Sequence, residues 1–149
     1  MAAMSPIYLF TLVFLVLTAL LALWRGGPWQ RALSIALGVA WLISQIVPFD
    51  YRTPPWAAVS ADGLVFLLLL YGSARSGTWW MPIAAAFQFL VLATHYVFIT
   101  DIRLEQWAYV SAYYVWNIGL IATLFVSCLL YRRKARAPHP AGHGKTQAD

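Results

Sequence analysis

Long apolar stretches alternate with short polar segments along the chain, and five of these stretches are long enough to form membrane-crossing helices. The predicted helices span residues of about 6–24, 32–49, 55–75, 82–100 and 107–131. About 20 apolar residues in a helix cross a hydrocarbon core of about 30 Å. Gly, Pro and charged residues fill the intervening segments, which is typical of loops. The pattern predicts an all-α, polytopic transmembrane helix bundle with five spans in one domain, residues 1–131.

The third span and the C-terminal segment need separate interpretation. Counted over residues 63–74, the third apolar run is too short to cross a bilayer. Counted over residues 55–75 it is long enough, and Asp62 then lies about two turns inside the helix. We adopt the longer helix. Residues 132–149 are rich in Pro, Gly and charge, which predicts a disordered basic tail.

Basic residues are distributed unevenly between the two ends of the predicted bundle. With five alternating spans, one end collects eight of the ten Lys and Arg residues and the other collects two. The larger group is Arg25, Arg31, Arg75, Arg132, Arg133, Lys134, Arg136 and Lys145, and the smaller is Arg52 and Arg103. Cytoplasmic loops carry the excess of cations in membrane proteins. We therefore expect a periplasmic N-terminus and a cytoplasmic C-terminus.

The composition supports a membrane protein and argues against several other classes. Hydrophobic residues make up 62 % of the chain, charged residues 10 %, and the mean hydropathy is +0.69. The net charge of +5 does not indicate nucleic-acid binding, because the cations flank apolar segments instead of forming a folded basic patch. The single cysteine, Cys128, excludes an internal disulfide and a Cys-based zinc site. We expect the lipid bilayer as a partner, and neither nucleic acid nor a metal ion.

Five polar residues within the predicted spans form a candidate pocket for a ligand or a proton. They are His95, Asp62, Gln45, Asn117 and Gln88. His95 and Gln88 are seven residues apart and therefore project from nearly the same helix face. With the predicted topology, Gln45, Asp62 and His95 lie about 6–11 Å below the outer membrane boundary. We expect Asp62 to be the partner of His95, and Tyr113 and Tyr114 to border the same space.

A purely structural interpretation of these residues has about equal weight. Asp62 near a helix N-terminus is stabilised by the helix dipole and reaches interfacial water in this interpretation. Gln88 and Asn117 then form ordinary hydrogen bonds between helices. Against it stands the general rule that an ionisable group inside a membrane marks a functional site.

Small residues recur at every fourth position on the second and fifth predicted helices. These two stripes contain Ala32, Ala36, Ala40 and Ser44 on one helix, and Gly119, Thr123 and Ser127 on the other. Small side chains let helix backbones approach closely in a membrane. The stripes therefore predict packing against another helix, within the chain, in a homo-oligomer or in a larger membrane complex.

The sequence contains no catalytic signature. It lacks a phosphate loop, a nucleophile motif and an HExxH zinc motif. A haem held by two histidines is excluded within one chain, because His95 is the only histidine in a span. We expect a non-catalytic accessory or scaffold subunit without a cofactor. The alternative is a ligand- or proton-sensing module that uses the candidate pocket.

Two resemblances to known groups of proteins imply a cellular location for this chain but no activity. One is carried by Trp79-Trp80-Met81-Pro82, Ala85-Ala86-Phe87-Gln88, Thr94-His95, Asp101 and Trp107-Ala108-Tyr109. This set resembles small inner-membrane proteins of alphaproteobacteria, which implies a bacterial inner membrane. In size, span number and its eight tryptophans the chain also resembles the tryptophan-rich sensory protein (translocator protein) family. Pro54-Pro55-Trp56 is similar to that family's Trp- and Pro-rich loop, but the aromatic pattern that should follow is missing, so no porphyrin or sterol site is expected.

Overall fold

Five α-helices make up the fold, in agreement with the all-α prediction. The computed structural model of the protein describes residues 6–46, 55–100 and 106–136. The helices are α1 (Pro6–Arg25), α2 (Pro28–Ile46), α3 (Trp56–Ser76), α4 (Trp80–Thr100) and α5 (Gln106–Arg136). Four of them, α1, α3, α4 and α5, are long and apolar enough to cross a membrane. The described part of α2 is more polar, so a fifth span stays a prediction.

The helix bounds follow the predicted spans, with earlier starts for two helices. The longer version of the third span is confirmed, because α3 is a helix of 21 residues. It ends at Gly77, whose φ of 59° is the left-handed conformation that favours glycine at a helix C-terminus. α2 begins at Pro28, and α4 begins two residues before Pro82. Proline is tolerated there because an N–H in the first turn has no intrahelical partner.

The helices form a ring in chain order. Each helix packs against the next, and α5 closes the ring against α1. Short connections make consecutive helices antiparallel, whereas α1 and α5 are parallel. Phe14 of α1 contacts Phe125 of α5, with ring centroids 5.9 Å apart. Gly27, just after α1, lies against Tyr131 near the end of α5.

The two halves of the bundle are filled differently. Buried apolar side chains cluster in the half nearest the α1–α2 and α3–α4 connections, namely Ala22, Leu33, Leu37, Val65, Leu69, Trp80, Met81, Ala84, Ala85, Leu120, Leu124 and Cys128. Large apolar side chains such as Phe10, Leu64 and Leu67 are exposed on the outside of the ring. A wide apolar outer surface is typical of a protein that faces lipid.

Both predicted small-residue stripes contact helices of the same chain. Ala36 and Ala40 pack against the apolar cluster. A Cβ atom added to Gly119 would overlap a ring carbon of Phe87, so α4 and α5 approach closely at this point. Thr123 donates a hydrogen bond of 2.8 Å to the Gly119 carbonyl of its own helix. The stripes therefore have packing roles inside the bundle.

Three of the basic residues lie at one end of the bundle. Arg25 ends α1, Arg31 lies in the first turn of α2, and Arg75 lies in the last turn of α3. α5 continues to Arg136, into the segment predicted as a tail. The rest of that tail, with His139 and His143, and the loops that carry Arg52 and Arg103 lie outside the described residues. The orientation of the termini stays a prediction.

Candidate functional site

Asp62 of α3 is a buried carboxylate that α4 holds in place. Only 5 % of the residue is exposed, so it is not the hydrated interfacial aspartate of the structural interpretation. The Gln88 amide Nε2 donates hydrogen bonds to Asp62 Oδ1 at 2.9 Å and to the Asp62 backbone carbonyl at 3.1 Å. Both N–H groups of Gln88 are thus used on one residue.

Gln88 makes these two hydrogen bonds at a cost in folding free energy. The side chain is fully buried, and its Oε1 has no hydrogen-bond partner among the described residues. An unpaired buried acceptor destabilises a fold by about 1–3 kcal/mol. The amide therefore holds Asp62 at the expense of its own oxygen, which ordinary packing does not require.

His95 completes the support of Asp62 and links it to α5. His95 is 1 % exposed, and its Nε2 lies 2.9 Å from Asp62 Oδ2. The other ring nitrogen, Nδ1, lies 2.9 Å from the Tyr109 hydroxyl. The contact expected between His95 and Asp62 is present. We call Asp62, Gln88, His95 and Tyr109 the Asp62 network.

The hydrogen-bond pattern lets us assign the proton positions. A tyrosine hydroxyl can donate or accept, and in the arrangement that we adopt the Tyr109 hydroxyl donates to His95 Nδ1. In the same arrangement His95 Nε2 carries the shared proton and donates it to Asp62 Oδ2. In this arrangement His95 is a neutral imidazole and Asp62 is an ionised carboxylate that accepts a donor on each oxygen. The network then carries one net negative charge.

A cavity of about 110 Å³ lies on the other side of Asp62. Its lining comes from α1, α2, α3 and α5: Tyr8, Thr11, Leu12, Leu15, Leu37, Ala40, Trp41, Ser44, Gln45, Asp62, Tyr113, Tyr114, Asn117 and Ile121. Among these described lining residues Asp62 is the only charged one. α4 does not line the cavity, so Gln88 and His95 stand behind the carboxylate.

The structure divides the five predicted pocket residues into two groups. Asp62, Gln88 and His95 contact one another, whereas Gln45 and Asn117 line the cavity. Gln45 Oε1 accepts a hydrogen bond of 3.3 Å from the Tyr8 hydroxyl. The Asn117 amide donates to the Tyr113 carbonyl of its own helix at 2.9 Å, so it makes no bond between helices there. Tyr113 and Tyr114 border the cavity as expected.

Three aromatic residues of the site were missed or misplaced by the sequence analysis. Tyr109 was not among the predicted pocket residues, but it is 6 % exposed and lies within hydrogen-bond distance of His95. The spacing of Tyr109, Tyr113 and Asn117, four residues apart, places them on one helix face and was an available signal. Tyr8 and Trp41 line the cavity without any comparable signal in the sequence.

No metal-binding cluster is found in the part of the chain that the structure describes. Among residues 6–46, 55–100 and 106–136, no three His, Cys, Asp or Glu side chains lie together so that they could hold one ion. His139 and His143 lie outside these ranges. The expectation of no metal and no cofactor stays a prediction.

The site thus combines a buried carboxylate, a hydrogen-bonded support behind it and a small aromatic cavity in front of it. This arrangement can bind a small polar molecule or a cation and can pass a change in charge to His95 and Tyr109. Comparison of the chain with protein-family models, curated proteins and solved structures gives no match, so its function is inferred from this geometry alone.

Proposed function

We propose that the protein is a membrane-embedded binding module whose ligand occupies the cavity beside Asp62. One observation carries this proposal. The Asp62 carboxylate borders the cavity while Gln88 and His95 hold it from behind, at distances of 2.9 Å. A polar group fixed in advance at the wall of a mostly apolar cavity is the usual design of a small-molecule site.

The same network supports a sensing role. A ligand that changes the charge balance at Asp62 also changes the hydrogen bond that Asp62 accepts from His95. His95 in turn bonds Tyr109 on α5. Occupancy of the cavity would thereby alter the contact between α4 and α5, which gives binding an effect on the bundle.

The alternative proposal is a non-catalytic accessory or scaffold subunit that packs with itself or with a larger membrane complex. Its sequence support was the two small-residue stripes. Ala36, Ala40 and Gly119 of these stripes pack within this chain, so they no longer argue for an outside partner. The exposed apolar faces are compatible with lipid and with a partner alike, and we therefore rank binding first.

We also propose that all five helices span a bacterial inner membrane, with the N-terminus periplasmic and the C-terminus cytoplasmic. The support is the position of Arg25, Arg31 and Arg75 at one end of the bundle. Cations concentrate on the cytoplasmic side. The cavity lies nearer the other end, which is periplasmic in this topology.

Native mass spectrometry of a filled-cavity variant tests the binding function. Ser44 lines the cavity and donates to the Ala40 carbonyl at 3.0 Å. Phe at this position would fill the cavity, whose lining does not include Gln88, His95 or Tyr109. Ser73 is matched in burial, donates likewise to the Leu69 carbonyl at 2.7 Å and lies outside the cavity lining, so Ser73→Phe is the control.

The protein would be purified in mild detergent and incubated with a small-molecule extract of the source cells. We expect a bound small molecule in the wild type and in Ser73→Phe, and none in Ser44→Phe. No bound molecule in the wild type would contradict the proposal. The same second membrane protein at fixed stoichiometry in all three samples, without a small molecule, would favour the accessory-subunit alternative.

A further inference from the structure

We infer that the cavity beside Asp62 takes a small organic cation of the alkylammonium class. This inference rests on the proposed binding function and specifies its ligand chemistry. Four properties of the cavity support it: its charge, the direction of its hydrogen-bond donors, its aromatic lining and its size.

The charge favours a cation. Asp62 is ionised in the assigned proton arrangement, and its neighbours Gln88 and His95 supply donors but no positive charge. Among the described residues that line the cavity no other side chain is charged. A buried charge is normally paired, and the open side of this carboxylate faces the cavity. A cation in the cavity would supply the missing partner.

Four residues of the lining donate hydrogen bonds to other groups of the protein. Thr11, Ser44 and Asn117 each donate to a carbonyl of their own helix, at 2.7, 3.0 and 2.9 Å. The Tyr8 hydroxyl donates to Gln45 Oε1 at 3.3 Å. An anion needs donors that point at it, and these four residues do not provide them. The internal use of these donors, next to the Asp62 carboxylate, favours a cation over an anion.

Aromatic rings surround the cavity from three helices. Tyr8 comes from α1, Trp41 from α2, and Tyr113 and Tyr114 from α5. Rings of Trp and Tyr attract cations through their negative faces, and several rings around one position are the usual site for a methylated ammonium group. A carboxylate next to such rings binds the charge while the rings bind the methyl groups.

The volume limits the ligand to a few heavy atoms. An apolar cavity of about 150 Å³ holds benzene, which has about six heavy atoms. The cavity of about 110 Å³ is smaller. It therefore suits a head group of about five heavy atoms, such as tetramethylammonium.

Isothermal titration calorimetry with tetramethylammonium chloride tests the inference on the full chain in detergent. tert-Butyl alcohol is the control ligand, because it has nearly the same shape and no charge. We expect saturable binding of tetramethylammonium to the wild type and at least about tenfold weaker binding to Asp62→Asn, which loses the charge partner. Tyr113→Leu should weaken binding about three- to tenfold, whereas Tyr113→Phe, which retains the ring, should not.

The Tyr113 pair keeps the test decisive if Asp62→Asn fails to fold, since both Tyr113 variants retain the carboxylate. Equal binding of tetramethylammonium by Tyr113→Leu and Tyr113→Phe, or no saturable binding to the wild type, would overturn the inference. Binding of tert-butyl alcohol instead, abolished in Ser44→Phe, would overturn the cation while leaving the proposed binding function intact. Binding of neither compound together with no cell-derived ligand in the native mass spectrum would contradict both.

Discussion

At the scale of single residues, the main physical question is why a carboxylate lies inside this bundle. Moving a charged group out of water costs several kcal/mol even after the surroundings relax. Asp62 recovers part of that energy from the donors of Gln88 and His95. Gln88 leaves its own buried oxygen without a partner among the described residues in doing so. The buried charge of Asp62 and the unpaired oxygen of Gln88 both lower the stability of the fold, so function explains this arrangement better than stability does.

The assigned proton positions in the Asp62 network lead to a spectroscopic prediction. We expect nitrogen-15 NMR of His95 to show a proton on Nε2 and an unprotonated Nδ1 that accepts from Tyr109. Tyr109→Phe removes that donor, so the Nδ1 resonance should shift strongly while Nε2 changes little. The spectrum would be recorded near pH 7 with selectively labelled histidine and with His139 and His143 replaced.

Two other spectra would contradict the assignment. Protons on both nitrogens would show an imidazolium, and the network would then be neutral overall. A proton on Nδ1 alone would place the shared proton on Asp62. Tyr113→Phe is the control. The Tyr113 ring lies 5.5 Å from the His95 ring, and phenylalanine would preserve this aromatic contact without altering the hydrogen bond between Tyr109 and His95 Nδ1.

At the scale of helices, local periodicity predicted the α4 part of the site. His95 and Gln88 are seven residues apart, and both are buried on the inner face of α4. The length needed to cross a bilayer selected the longer α3, which places Asp62 within reach of both. These predictions depend only on helix geometry and span length, and a single sequence contains both.

The remaining part of the site depends on helix order around the ring. Tyr8 and Trp41 line the cavity because α1 lies between α2 and α5. Nothing in the spacing of residues along α1 indicates that neighbour. Tyr109 was missed for a different reason. Tyrosines near the end of a span usually mark the membrane interface, so the helix face that Tyr109 shares with Tyr113 was not taken as a sign of a pocket.

The close approach of α4 and α5 gives a prediction for Gly119. A Cβ atom here would overlap the Phe87 ring, so Gly119→Ala must displace that ring. We expect the free energy of unfolding to fall by about 1–3 kcal/mol. The measurement is unfolding by SDS in mixed micelles.

Gly38 of α2 is the matched control, because a Cβ atom there has nothing within 4 Å. Gly38→Ala should leave stability unchanged or raise it by up to about 1 kcal/mol. Combining Gly119→Ala with Phe87→Leu should show coupling, since the smaller side chain relieves the overlap. Equal effects of alanine at Gly119 and Gly38 would mean that α4 and α5 do not approach as described.

At the scale of the whole molecule, the ring explains why the cavity lies in one half only. In the half nearest the α1–α2 and α3–α4 connections, side chains such as Leu33, Leu69 and Met81 fill the interior. In the other half, α2 presents the small residues Ala40 and Ser44 to the centre. Five helices closed into a ring leave space wherever the inward side chains are small. The stripe that was predicted to pack against another helix thus helps to form the cavity.

The direction in which this asymmetric bundle sits in the membrane is the last prediction. Arg25, Arg31 and Arg75 share one end, and the cationic segment that begins at Arg132 starts in the last turns of α5, at the same end. Lys and Arg near span ends stay on the cytoplasmic side because translocating them is unfavourable. The end that carries the cavity should therefore face the periplasm.

Cysteine labelling in spheroplasts measures this orientation, with Cys128→Ala as the background. A cysteine at Thr53, outside the described residues, or at Gln106, the first residue of α5, should react with a membrane-impermeant maleimide added outside. Gly144→Cys in the tail should react only after permeabilisation, which also controls for its reactivity. Labelling of the tail in intact spheroplasts would show the opposite topology, with the cavity in the cytoplasmic half. Labelling of Thr53→Cys and Gln106→Cys on opposite sides would show an odd number of crossings between them. That result would contradict α3 and α4 as two complete spans, because two crossings return the chain to the side on which it started.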